Sequence, residues 1–416
     1  MDESKKIAKT PYAWLILAAA CLAHCFWNIA IIQPGGLSQF FFDPAGAYLY
    51  TPMEFSMVMT VPFLTTGLFG LVFGVWADKK SLAIATDVGA ILGLIGVIAR
   101  VFLCDGGFMP MFWSSFLMGF GLAGLNANAS KIFASWFRPE KVAMLMGLYI
   151  GSCTLGAAIA LGIGALFDGL RSAFTFSAIL GVVVVVIYVA VLRDRPKGEP
   201  KPAAEPTIEY LKVVASKKLI WLAALAAAIF IAFGTTQNSY LTQALTTITG
   251  ADLLGAGFVG TIVNVAVICG SLFWPWFATK VGRFRIVAVG AVLAAVCTAI
   301  AIFALPFGTW TYVLYFIVGF GAGGGAPIVM AMPALMPGVG AKYAGAGGGL
   351  ISTVMNLASF VLPSFVLAPL FANDMSVLFT VIVVGYVLFA VSLFVIPEVG
   401  RKGKIWKQGG SEGAVR

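Results

Sequence analysis

Twelve apolar stretches divide the chain, at roughly 12–36, 55–77, 82–104, 110–136, 142–167, 172–192, 219–244, 255–278, 284–305, 309–336, 343–371 and 375–396. Each is about as long as the ~20 residues that cross a ~30 Å hydrocarbon core. Lys and Arg gather in every second connecting segment. With the N-terminus in the cytoplasm, the inner segments carry Lys5, Lys6 and Lys9, then Lys79 and Lys80, then Lys131, Arg138 and Lys141. The basic residues of 193–218 follow, then Lys280, Arg283 and Arg285, then Lys342 and the tail from Arg401. Of 26 basic residues, only Arg171 falls in an outer loop, and only Arg100 lies inside a stretch away from the inner side. One missed crossing would scatter these charges over both faces, whereas Lys and Arg concentrate on the cytoplasmic side. The sequence thus predicts an all-α integral membrane protein with twelve transmembrane helices and both termini in the cytoplasm.

Composition excludes the soluble alternatives. Hydrophobic residues make up 60% of the chain and charged residues 10%, more apolar surface than a soluble domain can hide. The net charge of +9 reads as topology charge beside an anionic inner leaflet, so no nucleic-acid partner is expected. The first apolar stretch is too long for a cleaved signal peptide and lacks a small-residue cleavage site. The six cysteines, Cys21, Cys25, Cys104, Cys153, Cys269 and Cys297, all lie in apolar stretches and read as small core residues. Cys21, His24 and Cys25 can share a helix face but lack a fourth ligand, so no metal and no cofactor is expected. No nucleotide-binding loop and no nucleophile–base pair in a polar cleft is evident, which argues against an enzyme.

The most polar internal segment, 193–218, opens with Arg193-Asp194-Arg195-Pro196. Its prolines and charges read as a cytoplasmic linker. It separates an N-terminal six-helix bundle (1–192) from a C-terminal one (219–396), with a cytoplasmic tail over 397–416. The halves echo each other at a nearly constant offset. Gly119-Phe120-Gly121 recurs as Gly319-Phe320-Gly321, Gly147-Leu148 as Gly349-Leu350, and Trp14 with Phe26 as Trp221 with Phe233. A parallel repeat of two pseudo-symmetric bundles is a transporter architecture.

Between the second and third stretches runs Gly74-Val75-Trp76-Ala77-Asp78-Lys79-Lys80-Ser81-Leu82, and its counterpart in the second half is Thr279-Lys280-Val281-Gly282-Arg283-Phe284-Arg285. Together these two degenerate copies cover the loop signature of the major facilitator superfamily, which the chain resembles from about 12 to 400. The first copy has Ser81 and Leu82 in place of Gly-Arg, and the second has Thr279 in place of Asp. The resemblance implies alternating access, with a solute site near the bilayer midplane between the halves and helices 1, 2, 4, 5, 7, 8, 10 and 11 lining the cavity. It also implies a gating role for Gly74, Asp78, Lys79, Lys280, Gly282 and Arg283. In the family, the Asp caps a neighbouring helix and pairs with basic residues.

Polar residues on the cavity helices are the substrate-binding candidates, because lipid tolerates them poorly. They are His24, Trp27 and Asn28 in helix 1, Asn126 and Asn128 in helix 4, Tyr149 in helix 5, Thr236 and Gln237 in helix 7, Asn264 in helix 8 and Asn356 in helix 11. Lone Asn residues also join membrane helices, and Ser or Thr also bond their own helix. Lys131 reads either as snorkelling to the inner face or as an anion lure, and Arg100, close to Asp105, as a structural ion pair or a snorkelling side chain. Gly325 and Pro327 mark an expected break in helix 10.

The segments Gly119–Asn128, Trp136–Lys141 and Gly147–Gly151 are similar to small-anion members of the superfamily: oxalate/formate exchangers, nitrate/nitrite porters and cyanate permease-like proteins. Those exchangers and nitrate porters hold their anion with embedded basic residues, which the spanning parts of helices 2, 8 and 11 lack here. The expected function is therefore secondary transport of a small organic acid or other monovalent anion across the inner membrane, as exchanger, uniporter or symporter. A proton-driven exporter of hydrophobic compounds is the alternative, followed by a transporter-like nutrient sensor. Cavity helices without an embedded carboxylate argue against a carboxylate proton relay. The expected partners are a small-molecule substrate and the bilayer, and a monomer is expected.

Overall fold

A computed structural model describes residues 10–196, 207–336 and 338–398. The terminal basic clusters and residues 197–206 of the expected linker lie outside the described residues. Each apolar stretch is a helix long and apolar enough to span a membrane: α1 (Tyr12–Gly36), α2 (Pro52–Lys79), α3 (Leu82–Leu103), α4 (Phe108–Trp136), α5 (Met144–Leu166), α6 (Leu170–Val191), α7 (Lys218–Thr249), α8 (Leu253–Val281), α9 (Phe284–Ala304), α10 (Thr309–Leu335), α11 (Gly345–Phe371) and α12 (Met375–Val395). The protein is an all-α integral membrane protein.

Two compact units divide the chain, Met1–Glu205 and Pro206–Arg416. In the first, α1 packs on α5 and α6, α3 on α4 and α6, and α2 on α4. The second repeats the pattern: α7 packs on α11 and α12, α9 on α10 and α12, and α8 on α10. Helix ends are fixed by local chemistry. Thr51 and Glu54 form a capping box at the start of α2, while Asp252 and Asp374 cap α8 and α12. Gly282, at φ 76°, closes α8 in the left-handed conformation that glycine adopts without strain.

Small residues let the helices approach closely. A Cβ on Gly121 would overlap the Trp27 indole, and one on Gly93 would lie 2.7 Å from its Cη2. Trp27, only 1% exposed, is thus wedged into the α3–α4 seam. In the second unit the indole filling the matching seam comes from α8: a Cβ on Gly290 would lie 2.8 Å from Trp274 Cζ2, and Trp274 Nε1 donates to Phe320 O at 2.8 Å. The repeat therefore conserves the seam while changing the helix that fills it.

α10 is interrupted. Its helices Thr309–Ala322 and Gly325–Ala331 are separated at Gly323-Gly324, and Pro327 falls in the first turn of the second piece. The interruption is packed tightly: a Cβ on Gly325 would lie 2.6 Å from Phe230 Cε2, and one on Gly323 would lie 2.5 Å from Val267 O.

The described ends of the 193–218 segment are each tied to a unit. Arg193 O accepts from Trp136 Nε1 at 3.0 Å, tying its start to the first unit. Thr207–Ala215 is a short helix of the second unit, with Val214 fully buried and Tyr210 edge-on to Tyr343 at 4.9 Å. Its apolar positions recur at helical spacing, which the charges and prolines around them conceal.

Candidate functional site

The close approach of α1 and α5 depends on Gly156, where a Cβ would overlap Cys25 O. This brings His24 against Tyr149. Their rings stack at 3.9 Å and 11°, and His24 Nδ1 lies 2.8 Å from Tyr149 O. A carbonyl can only accept, so Nδ1 carries the proton. The Tyr149 hydroxyl donates to Asn126 Oδ1 on α4. His24 and Tyr149 are buried, at 5% and 2% exposure, whereas Asn126 is exposed. Asn126 Oδ1 thus holds one hydrogen bond from the buried Tyr149, and the amide belongs to an exposed residue of α4. Ser130, one turn on, is exposed on the same helix. Nothing stands within 4 Å of a Cβ built on Gly147 or Gly151, so the adjoining face of α5 is open as well.

The other candidates make contacts of their own. Trp27 fills the α3–α4 seam. Asn28 Nδ2 donates back to His24 O at 2.9 Å. Asn128 is fully buried and joins α2 to α4, donating to Gly124 O at 3.0 Å and Phe73 O at 3.4 Å. Thr236 bonds Ala232 O within its own helix, and Gln237 Oε1 accepts from Tyr386 OH on α12 at 2.7 Å. Gln237 thus faces a helix that the resemblance puts outside the cavity. It does for α7 and α12 what Gln33 does for α1 and α6, where Gln33 donates to Ala173 O and accepts from Ser177. Asn264 donates to Gly260 O at 2.9 Å and reaches Asn238 Oδ1 on α7 at 3.4 Å. Asn356 donates to Ser352 O at 2.8 Å and is half-buried.

The signature loops form charge and capping contacts. Asp78 pairs with Lys131, at 2.5 Å, and Lys131 also donates to Gly74 O at 3.1 Å. Lys131 therefore neither snorkels alone nor offers a bare charge. Lys79 stands exposed in the last turn of α2. The capping of a neighbouring helix that the resemblance implies for Asp78 is carried out at α3 by Asp194, which accepts from Ser81 Oγ at 2.9 Å and Ala83 N at 2.6 Å. In the second unit Lys280 lies over the Trp276 ring at 5.1 Å, and Arg283 N donates to Ala278 O at 3.1 Å. Arg285, absent from the expected set, binds the end of α12 by donating to Phe394 O and Ile396 O. Placing a cation on terminal carbonyls suits the helix dipole.

Asp105 pairs with Arg171, not Arg100. Arg100 points inward, at 1% exposure, and does not snorkel. Among the described residues no group of three or more His, Cys, Asp or Glu is placed to hold a metal.

The profile of the Major Facilitator Superfamily matches residues 15–363. Two strains of Mycobacterium tuberculosis, CDC 1551 / Oshkosh and ATCC 25618 / H37Rv, have a relative described as a probable nitrate/nitrite transporter, NarK2. It is 25% identical over 349 residues, covering 81% of this chain and 85% of the relative. The fold resembles that of a bacterial homolog of the human lysosomal transporter Spinster, at a TM-score of 0.71 and 16% identity, over 93% of this chain and 96% of that one. It also resembles a peptide transporter, POT, solved with sulfate, at a TM-score of 0.71 and 16% identity, over 92% and 94% of the two chains. With the profile covering most of its length and a non-enzymatic transporter fold, this chain belongs to the Major Facilitator Superfamily.

Proposed function

We propose that the protein is a secondary transporter moving a small monovalent anion or organic acid across the plasma membrane by alternating access, with both termini in the cytoplasm. The observation that carries this reading is the polarity of Asn126. Tyr149 occupies its acceptor, so an exposed mid-span amide offers N–H donors to a solute oxygen. His24 holds Tyr149 from behind by ring stacking and by a hydrogen bond to its carbonyl. The three residues form a relay of position, in which buried side chains fix the one that meets solute. The nitrate/nitrite relative supports an anionic substrate.

Charge narrows the substrate further. Lys131, the cation nearest Asn126 along α4, is neutralised by Asp78. A dianion would then be desolvated against neutral donors, which is costly, whereas a monoanion or a weak acid carrying its own proton is not penalised to the same degree.

Uptake of labelled formate, nitrate and oxalate into proteoliposomes tests this reading. Formate or nitrate should accumulate, oxalate should not, and Asn126→Ala should reduce the flux severely. Dye efflux driven by a pH gradient without any anion flux would favour the exporter and overturn the proposal.

A further inference from the structure

One face of α8 is exposed along its second half. Val265 (41%), Cys269, Leu272 (66%), Trp276 (57%) and Lys280 recur three or four residues apart and so form one stripe. All but the last are apolar. A continuous apolar stripe on a membrane helix suits lipid better than an aqueous path. It ends in an indole and then an ammonium, on the side where the sequence gathers Lys and Arg. Trp is favoured where hydrocarbon gives way to headgroups.

Trp276 and Lys280 shape a place there. Lys280 Nζ lies over the Trp276 ring, 5.1 Å from its centroid, and Phe273 flanks the indole at 5.9 Å. Pro275, Trp276, Thr279 and Lys280 line an open groove of about 590 Å³. The Thr279 hydroxyl donates to Pro275 O at 2.7 Å, so Lys280 is the side-chain donor left on the rim. A ring face attracts an ammonium without neutralising it, and no carboxylate of a described residue pairs with Lys280. Arg285, by contrast, is spent on the end of α12. The first unit repeats the spacing but not the arrangement: Trp76 is half-buried and stacked on Phe73 at 6.1 Å, and Lys80 is not free.

We propose that this face of α8 binds one anionic phospholipid, with its phosphate on Lys280 Nζ and an acyl chain along Trp276, Leu272 and Cys269. The phosphodiester supplies the negative charge that the ammonium lacks, and the chain covers apolar surface in the same event. An exposed ion pair alone is weak in water. Here the pair sits at the edge of the hydrocarbon, where the effective dielectric is lower, and the inner leaflet supplies anionic lipid. Charge and apolar length joined in one molecule favour a lipid over free phosphate or an acidic peptide. The site is separate from the Asn126–Tyr149 pair and carries no solute.

Full-length protein in detergent is titrated with phosphatidylglycerol, or with phosphatidylcholine of the same chains, and bound lipid is counted by native mass spectrometry with no solute present. One phosphatidylglycerol should saturate at concentrations where phosphatidylcholine does not. Lys280→Gln should raise the half-saturating concentration about tenfold, the scale of a lost hydrogen bond to a charged group. Lys280→Arg should restore it, Trp276→Ala should raise it, and Lys80→Gln should leave it unmoved. The proposal is overturned if the two lipids bind alike or if Lys280→Gln has no effect. It is overturned equally if Lys80→Gln weakens binding as much as Lys280→Gln, since attraction to net charge alone would then suffice.

Discussion

Glu398 does for α9 what Asp194 does for α3. Each carboxylate stands three residues beyond the end of the last helix of its unit, Val191 or Val395. Asp194 accepts from Ser81 Oγ and Ala83 N, and Glu398 accepts from Phe284 N and Arg285 N at 2.8 and 3.1 Å. The first N–H groups of a helix have no partner within it and carry the positive end of its dipole. A carboxylate delivered by the neighbouring helix answers both needs and ties the two helices together. The halves keep this device although their loop signatures differ.

Asp194→Ala should therefore lower the melting temperature, with a cost of about 1 kcal/mol, as for loss of a helix cap. Asp194→Asn should recover part of it, because the amide oxygen can still accept. A melt unchanged in Asp194→Ala would show that Ser81 alone suffices.

The proposed solute donor depends on Tyr149. Tyr149→Phe frees the Asn126 amide to turn, so KM for the transported anion should rise about tenfold, the scale of a lost hydrogen bond to a charged partner. Uptake kinetics in proteoliposomes measure this, and an unchanged KM would separate Asn126 from its supposed support.

Asp78 and Lys131 are partly exposed, with side chains 20% and 38% accessible. Solvent screens such a pair, so a double-mutant cycle with Asp78→Asn and Lys131→Met should give a stability coupling of only about 0.5–1 kcal/mol. Transport should fall further than that small coupling explains if the pair acts as a gate. Equal loss in stability and transport would reduce it to a structural contact.

Glycines with opposite surroundings should respond differently. Gly121→Ala drives a methyl into Trp27 and should destabilise by about 1–3 kcal/mol. Gly147→Ala enters open space and should leave stability within about 0.5 kcal/mol. Thermal unfolding of the two variants in the same detergent compares them directly.

The spans, their number and the six-and-six repeat were legible in the sequence because they depend on one-dimensional properties: the length of an apolar run and the spacing of glycines. The loop signatures added the superfamily. What each polar side chain faces could not be read this way. His24 and Trp27 are three residues apart in α1, yet one stacks on Tyr149 and the other fills the α3–α4 seam. A helix apolar on every side has no amphipathic face to announce its rotation. That rotation is set by where small residues such as Gly156 and Gly93 let a neighbour approach. Glu398 and Asp194 escaped notice for a related reason: they lie in polar segments where any carboxylate looks solvated, and only the packing of α6 beside α3, and of α12 beside α9, gives them a helix to cap. Hydropathy and charge determined that this chain crosses a membrane as two six-helix units, while contacts between helices distant in sequence decided which of its polar groups are buried against a neighbour and which are exposed.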